Sequence, residues 1–341
     1  MLGCINLMPL NKYFLTHLVT QAWQKKGLLA ILLLPLSYVF ALIGFIRRQK
    51  KTDAKLSPCP ILVVGNLSVG GTGKTPLTIA LIDFCHQQGI QVGVISRGYQ
   101  GKAPYPYIVD QSSQPEQCGD EPFLIYQKTQ CPIVVHPDRF QAAQTLSQNF
   151  AVDLIISDDG LQHYRLPRQF ELVVVDAKRQ FGNGWLLPAG PLREPISRLR
   201  QVNGIVVNGK TPLVNPPKPM FHMQLKPQSF VTLGQTQGLP EQKRVHAIAG
   251  IGHPERFFNT LKQMGFEVIE HPFPDHYQFK QSDITFADGV DVVMTEKDAV
   301  KCQSMTALNQ HWYLTVAAEL PSAFWQFFSQ QISNTLLIRS R

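Results

Sequence analysis

From residue 61 onward the chain alternates short apolar runs with longer helix-like stretches. Ile61-Leu62-Val63-Val64, Val92-Gly93-Val94-Ile95, Ile133-Val134-Val135, Leu154-Ile155-Ile156, Leu172-Val173-Val174-Val175 and Ile205-Val206-Val207 carry no charged or polar position. Continuous runs of this kind predict strands covered on both faces. The stretches between them, 75–88 and 138–149 among others, predict helices, so the order gives a parallel sheet wrapped by helices with ligands at the carboxyl ends of the strands. A Pro-rich stretch, Thr211-Pro212 through Pro219, interrupts the alternation. It predicts a linker over 211–220 between a core domain, 52–210, and a smaller α/β domain, 221–341. The smaller domain is expected to hold strands over 245–249, 267–270, 291–294 and 312–316, with helices starting near Pro254 and Asp298.

The N-terminal pattern differs. Gly27 to Ile46 reads GLLAILLLPLSYVFALIGFI, free of charge and about as long as a bilayer-crossing helix needs to be. Lys25 and Lys26 precede it, and Arg47, Arg48, Lys50 and Lys51 follow. Cations at both margins suit anionic headgroups, which predicts a membrane-associated helix within 1–51, spanning the bilayer or dipping into one leaflet from the cytoplasmic side. Its distance from Met1 and the Arg pair after it argue against a cleaved signal peptide. Pro35 and Ser37 leave open a helix or hairpin buried in the protein.

Composition adds bounds. A chain of 341 residues with 44% apolar content buries a substantial core, and its formal charge of +8 fits anionic partners. The basic excess sits beside the apolar segment without interleaved aromatics, which disfavours nucleic acid as a partner. Six cysteines without paired spacing read as free thiols rather than a zinc site or redox pair.

Chemistry enters at Ser68-Val69-Gly70-Gly71-Thr72-Gly73-Lys74-Thr75. An apolar strand precedes this segment and a helix-like stretch follows, the context in which a phosphate-binding P-loop has meaning. Glycines let backbone N–H groups close around phosphate oxygens, Lys74 supplies a charge to the β- and γ-phosphates, and the Thr75 hydroxyl is placed to hold Mg²⁺. Ser68 departs from the strict motif, which begins with glycine. A metal partner is expected at the end of a neighbouring strand, where Leu154-Ile155-Ile156 runs into Asp158 and Asp159. No Asn-Lys-x-Asp box follows, and Thr295-Glu296-Lys297-Asp298 carries its Lys one place late, so ATP is the expected nucleotide. The fold class is therefore α/β: a P-loop NTPase-like parallel-sheet domain, a second smaller α/β domain and an N-terminal membrane-associated helix.

A longer set of segments follows the same order as in a known family. It includes Val64 through Pro76, Ser96-Arg97-Gly98-Tyr99, Gly119-Asp120-Glu121-Pro122, His136-Pro137-Asp138-Arg139 and Asp158-Asp159-Gly160-Leu161-Gln162-His163. It continues with Pro188 through Pro195, Ala249-Gly250-Ile251-Gly252, Pro274-Asp275-His276-Tyr277 and Thr295 through Ala299. Together these resemble the tetraacyldisaccharide 4'-kinase family of lipid A biosynthesis, in which serine is usual at the position of Ser68. The resemblance implies transfer of the γ-phosphate of ATP to the 4'-hydroxyl of a tetraacylated glucosamine disaccharide 1-phosphate, giving lipid IVA at the cytoplasmic face of the inner membrane.

The resemblance also implies roles. Asp120 matches the family's proposed catalytic base and His276 a histidine that pairs with it from the second domain. Arg193 matches an arginine expected to touch the transferring phosphate, beside Lys74 of the P-loop. Thr75, Asp158, Asp159 and Glu121 are the candidate metal ligands, with Glu194 as a further carboxylate near them. Arg139 and Gln162 match positions near the site, and Arg97 and Tyr99 follow a strand end where they could meet the sugar or its phosphate. The expected cofactors are ATP and Mg²⁺, the expected partners the lipid A precursor and membrane lipids, with the chain acting as a monomer. A membrane-tethered P-loop ATPase, working as a switch or assembly factor, is the alternative from a different functional class.

Overall fold

The computed structural model describes residues 23–49, 59–303, 305 and 310–337. Its first elements are two short helices, α1 (Leu28–Leu32) and α2 (Leu34–Gln49), with Leu33 capping the first. Pro35 accounts for the break. It has no N–H to give to the carbonyl four residues earlier and its ring crowds that carbonyl, whereas in the first turn of α2 both features cost little. Among the described residues no helix is long and apolar enough to cross a membrane. Of the two forms expected for 27–46, the single spanning helix is corrected to two successive helices, and residues 1–22, 50 and 51 of the expected segment lie outside the described residues.

Each of the six apolar runs forms a strand. The chain proceeds through β1 (Ile61–Gly65), α3 (Lys74–Gln87), β2 (Val92–Ser96), β3 (Tyr107–Val109), α4 (Pro115–Cys118), α5 (Asp120–Thr129), β4 (Ile133–Val135) and α6 (Arg139–Asn149). It then runs through β5 (Leu154–Asp158), β6 (Phe170–Asp176) and β7 (Gly204–Asn208). Strands β1, β2, β4, β5, β6 and β7 are buried at every position, the reason they lack alternation. Their two faces belong to separate cores. One takes Leu77, Leu81 and Cys85, spaced four apart along α3, and the other takes Ala142, Ala143 and Leu146 of α6.

The rest comprises β8 (Met220–Thr232), β9 (Gln237–Gly238), β10 (Arg244–Ala249), α7 (Pro254–Gln263), β11 (Glu267–Pro272), β12 (Val292–Thr295), α8 (Glu296–Cys302), β13 (His311–Glu319) and α9 (Ser322–Leu337). All strands join one mostly parallel sheet in the order β11-β10-β12-β13-β8-β7-β6-β1-β5-β2-β4-β3, with β9 hanging on β8. Strand β8 makes this continuity. Met220 to Met223 pair parallel with β7, and Gln224 to Thr232 pair antiparallel with β13. Pro227 within it sits beside a register shift between Leu314 and Val316, where a missing N–H is tolerated. The chain then returns: Phe328 of α9 lies 5.7 Å from Phe84 and 6.2 Å from Phe170, in the core of the first half.

Candidate active site

The parallel strands around β1 deliver their carboxyl ends to one place. β1 leads through the glycine-rich turn into α3, which begins at Lys74 with Gly73 in the left-handed region at φ 96°. Its free N–H groups and dipole make that end an anion site. The start of the turn is tied to a second loop: Val69 N donates to Pro191 O at 2.9 Å and Arg193 N to Leu67 O at 2.7 Å. Leu67 and Val69, flanking Ser68, therefore fix the loop that carries Arg193. The Arg193 guanidinium grips both oxygens of Asp159, at 3.1 and 2.9 Å, and also donates to Asn66 Oδ1. Lys74 Nζ stands 3.6 Å from the same carboxylate. Burial opposes charge on Asp159, but Lys74 and Arg193 overcome it and hold the carboxyl well below the usual range.

The neighbouring Asp158 has the opposite environment. It is buried at the end of β5, where Oδ1 accepts from Thr78 at 3.4 Å and Oδ2 has no partner. Burial first, then the charge of Glu121, push its carboxyl up to about 7 against the pull of Lys74. Paired carboxylates in sequence thus divide the work, one spent on ordering two cations and the other left open. Arg139 is buried beneath them, donating to His136 O at 3.0 Å and Asp158 O at 3.3 Å. Burial lowers its guanidinium to about 10, with Asp158 and Asp159 opposing that shift, and its bonds make it a brace for the two loops. Gln162 likewise orients its neighbours, donating to Asn66 O at 3.2 Å and Glu194 Oε1 at 2.9 Å.

Asp120 and Glu121 occupy the first turn of α5, where the helix dipole favours carboxylates. Two glycines set the position of this turn. Gly98 and Gly119 both have positive φ, and a Cβ on Gly119 would lie 2.8 Å from Tyr99 O while one on Gly98 would lie 2.7 Å from Cys118 O. Asp120 is buried, and His276 Nδ1 meets its Oδ2 at 3.2 Å across a separation of 156 residues. Tyr99, largely exposed, packs edge-on against the His276 ring at 5.0 Å, while Arg97 is exposed nearby in sequence.

Lys297, at the start of α8, completes the constellation. Its ammonium lies 3.1 Å from Glu121, 3.4 Å from Asp275 and 3.3 Å from His276 Nε2. An ammonium only donates, so in this contact Nε2 is the accepting nitrogen, which leaves Nδ1 facing Asp120. Burial disfavours the Lys297 charge, yet Glu121 and Asp275 raise its pKa. The half-buried Glu121 carboxyl loses solvation, but Lys297 and Lys74 lower it below its ordinary value. The sequence reading passed over Lys297, Asn66 and Asp275; the segments containing them were noted, but which side chain turned inward was not readable from spacing.

Lys74, Thr75, Glu121 and Lys297 line a cleft of about 1210 Å³ between the two halves of the sheet. Its opposite walls come from Ile251, Gly252 and Arg256 around the start of α7 and from β8 and β13. Asp158 and Glu121 both feel the charge of the P-loop lysine and Thr75 lines the cleft beside it, while Asp159, the fourth expected metal ligand, is engaged by Lys74 and Arg193. Among the described residues no three His, Cys, Asp or Glu side chains form a metal cage.

Comparison with known proteins adds three findings. The family model described as tetraacyldisaccharide-1-P 4'-kinase matches residues 29–333. A tetraacyldisaccharide 4'-kinase from Hahella chejuensis is 46% identical over 323 residues, covering 90% of this chain and 94% of its own. One from Pseudomonas putida strain W619 is 43% identical over 325 residues, covering 92% and 96%. Among solved structures, LpxK from Aquifex aeolicus in complex with ATP superposes with a TM-score of 0.74 at 29% identity, over 91% of this chain and 100% of that one.

Proposed function

The chain belongs to the tetraacyldisaccharide-1-P 4'-kinase family, and from this premise we infer that it moves the γ-phosphate of ATP onto the 4'-hydroxyl of a tetraacylated glucosamine disaccharide 1-phosphate, forming lipid IVA. One observation carries the reading to these residues: a buried carboxylate, Asp120, paired with His276, which Lys297 joins to the cleft that the P-loop lysine lines. Phosphoryl transfer needs positioning, charge neutralisation and one acceptor for the hydroxyl proton. Asp120 takes that proton as the 4'-oxygen bonds to the γ-phosphorus and ADP leaves. His276 orients the carboxylate, with Lys297 against its other ring nitrogen. Lys74 neutralises the phosphates, and Arg193, pre-aimed by Asp159 and Asn66, meets the charge on the transferring group.

The residues suit Mg²⁺. A hard cation takes oxygen ligands, few of them from protein when phosphates and water supply the rest. The unpartnered Asp158 Oδ2, the Glu121 carboxylate and the Thr75 hydroxyl fit that need. When bound, the ion supplies further charge neutralisation on the phosphate oxygens.

The seat is a lipid surface. Leu28, Leu32, Leu36, Tyr38, Leu42 and Phe45 of α1 and α2 are all more than half exposed. A row of this kind supports an apolar face dipping into one leaflet, and a substrate with four acyl chains requires the enzyme to meet it there. We place the chain, as a monomer, on the cytoplasmic face of the inner membrane, where ATP is available. Incubation with labelled ATP, Mg²⁺ and the disaccharide 1-phosphate in detergent tests the reading: label in the lipid is expected, and label appearing only as free phosphate would favour the tethered ATPase instead.

A further inference from the structure

A second polar cluster lies across β1 from Asp158, at the carboxyl ends of β6 and β7, and the chemistry above does not use it. Its centre is Asp176, which is 2% exposed. One oxygen accepts from Lys178 N at 3.1 Å and Arg179 N at 2.9 Å, closing the turn after β6. The other faces Arg256 Nη2 of α7, in the second half of the sheet, at 3.4 Å. Arg179 turns back over the P-loop and donates to the Gly71 carbonyl. A parallel limb runs from the same Arg256 nitrogen to Asn208 O at 3.4 Å, and from Asn208 Nδ2 to Thr72 O at 3.0 Å. The approach is close: a Cβ on Gly252, just before α7, would lie 2.9 Å from Gly71 N.

A P-loop binds phosphate through N–H groups that must point inward together, so its carbonyls must point outward and find donors. Gly71 and Thr72 find theirs in Arg179 and Asn208. Both donors lead back to one guanidinium on the far side of the cleft. We propose that Arg256 is a positioning residue through which the seating of the second half of the sheet sets the P-loop for Mg·ATP, with Asp176 and Arg179 as one limb and Asn208 as the other. The fork geometry of Arg256 lets one side chain serve both limbs, which a lysine at that position does poorly. Asp176 between Arg179 and Arg256 also separates two cations that would otherwise repel. The proposal rests on the kinase reading for its nucleotide but not for its acceptor.

The test compares Arg256→Ala, Asp176→Asn and the double variant in the full-length protein. Arg256 is 40% exposed, so its truncation spares the core, and melting curves of all three check the fold. Affinity for Mg·ATP is read by calorimetry without acceptor, and KM for ATP and for the lipid is read in the transfer assay. Each single variant is expected to weaken ATP binding about tenfold with the lipid KM within about twofold, and the double variant to weaken it no further, the mark of residues acting in one chain. Arg256→Lys is expected to recover only part of the loss. Unchanged ATP affinity in Arg256→Ala, additive losses in the double variant, or a change confined to the lipid KM would each overturn it. Failure of the wild-type protein to label the lipid would sink the kinase reading, while the calorimetric comparison would still decide the relay.

Discussion

Asp120 and His276 are 156 residues apart in the chain and 3.2 Å apart in the fold. In sequence each is a polar residue in a turn, and only the family motif singles it out; the geometry then explains the choice, because Lys297 at Nε2 leaves Nδ1 of His276 facing Asp120. Asp120→Ala removes the proton acceptor and is expected to lower kcat by about a hundredfold or more, with KM for ATP little changed. His276→Ala leaves the carboxylate in place but unoriented and is expected to cost about tenfold, read in the same lipid-labelling assay. Near-normal turnover in Asp120→Ala would remove it as the base. Asp158 supports a second prediction at this scale. Its folded carboxyl sits near about 7, above its ordinary value, because of burial and the Glu121 charge. The proton is therefore held in the folded protein through the range between the two values, stabilising the metal-free form at lower pH and fading as pH rises through about 7. A metal must displace that proton. The Mg²⁺ concentration needed for half-maximal ATP binding should thus rise about tenfold per pH unit below the midpoint and flatten above it. A flat profile from pH 6 to 8 would show that Asp158 is not the ligand.

At the scale of elements, the apolar runs were legible because a strand buried on both faces has no other pattern to show. Strand β8 was not. Its run MFHMQLKPQSFVT mixes polar residues and Pro227 with apolar ones because neighbours change along its length. The N-terminal segment was half legible: its apolar length was plain, but the consequence of Pro35 depends on where a helix starts. What spacing did not show is how α2 is fastened. Ser37, only 5% exposed, donates to Leu186 O at 2.9 Å and accepts from Ala189 N at 3.0 Å. Arg48 donates to Tyr164 at 2.9 Å and to Glu194 at 3.2 Å. The Ser37 contacts and the Arg48–Glu194 pair fall on the stretch that carries Arg193, so α2 is tied to the loop proposed to meet the transferring phosphate. Arg48→Ala leaves a buried Glu194 with one cation fewer, Arg198 at 3.4 Å remaining. It is expected to lower kcat several-fold in mixed micelles without altering how the protein partitions to them. Equal loss of partitioning and activity would show that Arg48 only anchors the helix.

Over the whole molecule, the Pro-rich stretch 211–219 reads in sequence as a connection between a core domain and a smaller α/β domain. The sheet runs through both without a break. One strand, β8, belongs to both halves, and α9 closes the chain by burying Phe324 and Phe328 against Phe84, Phe170 and Phe221 of the first half and of β8 itself. Removing either half would strip β8 of a partner strand and open the apolar core that Met223, Leu320, Phe324, Phe328 and Ile332 share with α3 and β6. Units that share a strand and a core lose stability together, so calorimetry is expected to give one transition whose calorimetric and van't Hoff enthalpies agree. Phe328→Ala, a large buried ring removed, is expected to cost about 3–5 kcal/mol and to lower that single transition rather than split it. Two transitions, with only one of them shifted by this substitution, would show that the units on either side of 211–219 fold independently. The same cooperativity bears on the proposed chemistry: when Asp120 and Lys74 come from one half and His276 and Lys297 from the other, the stability of the sheet between them is what keeps the proposed base paired with His276.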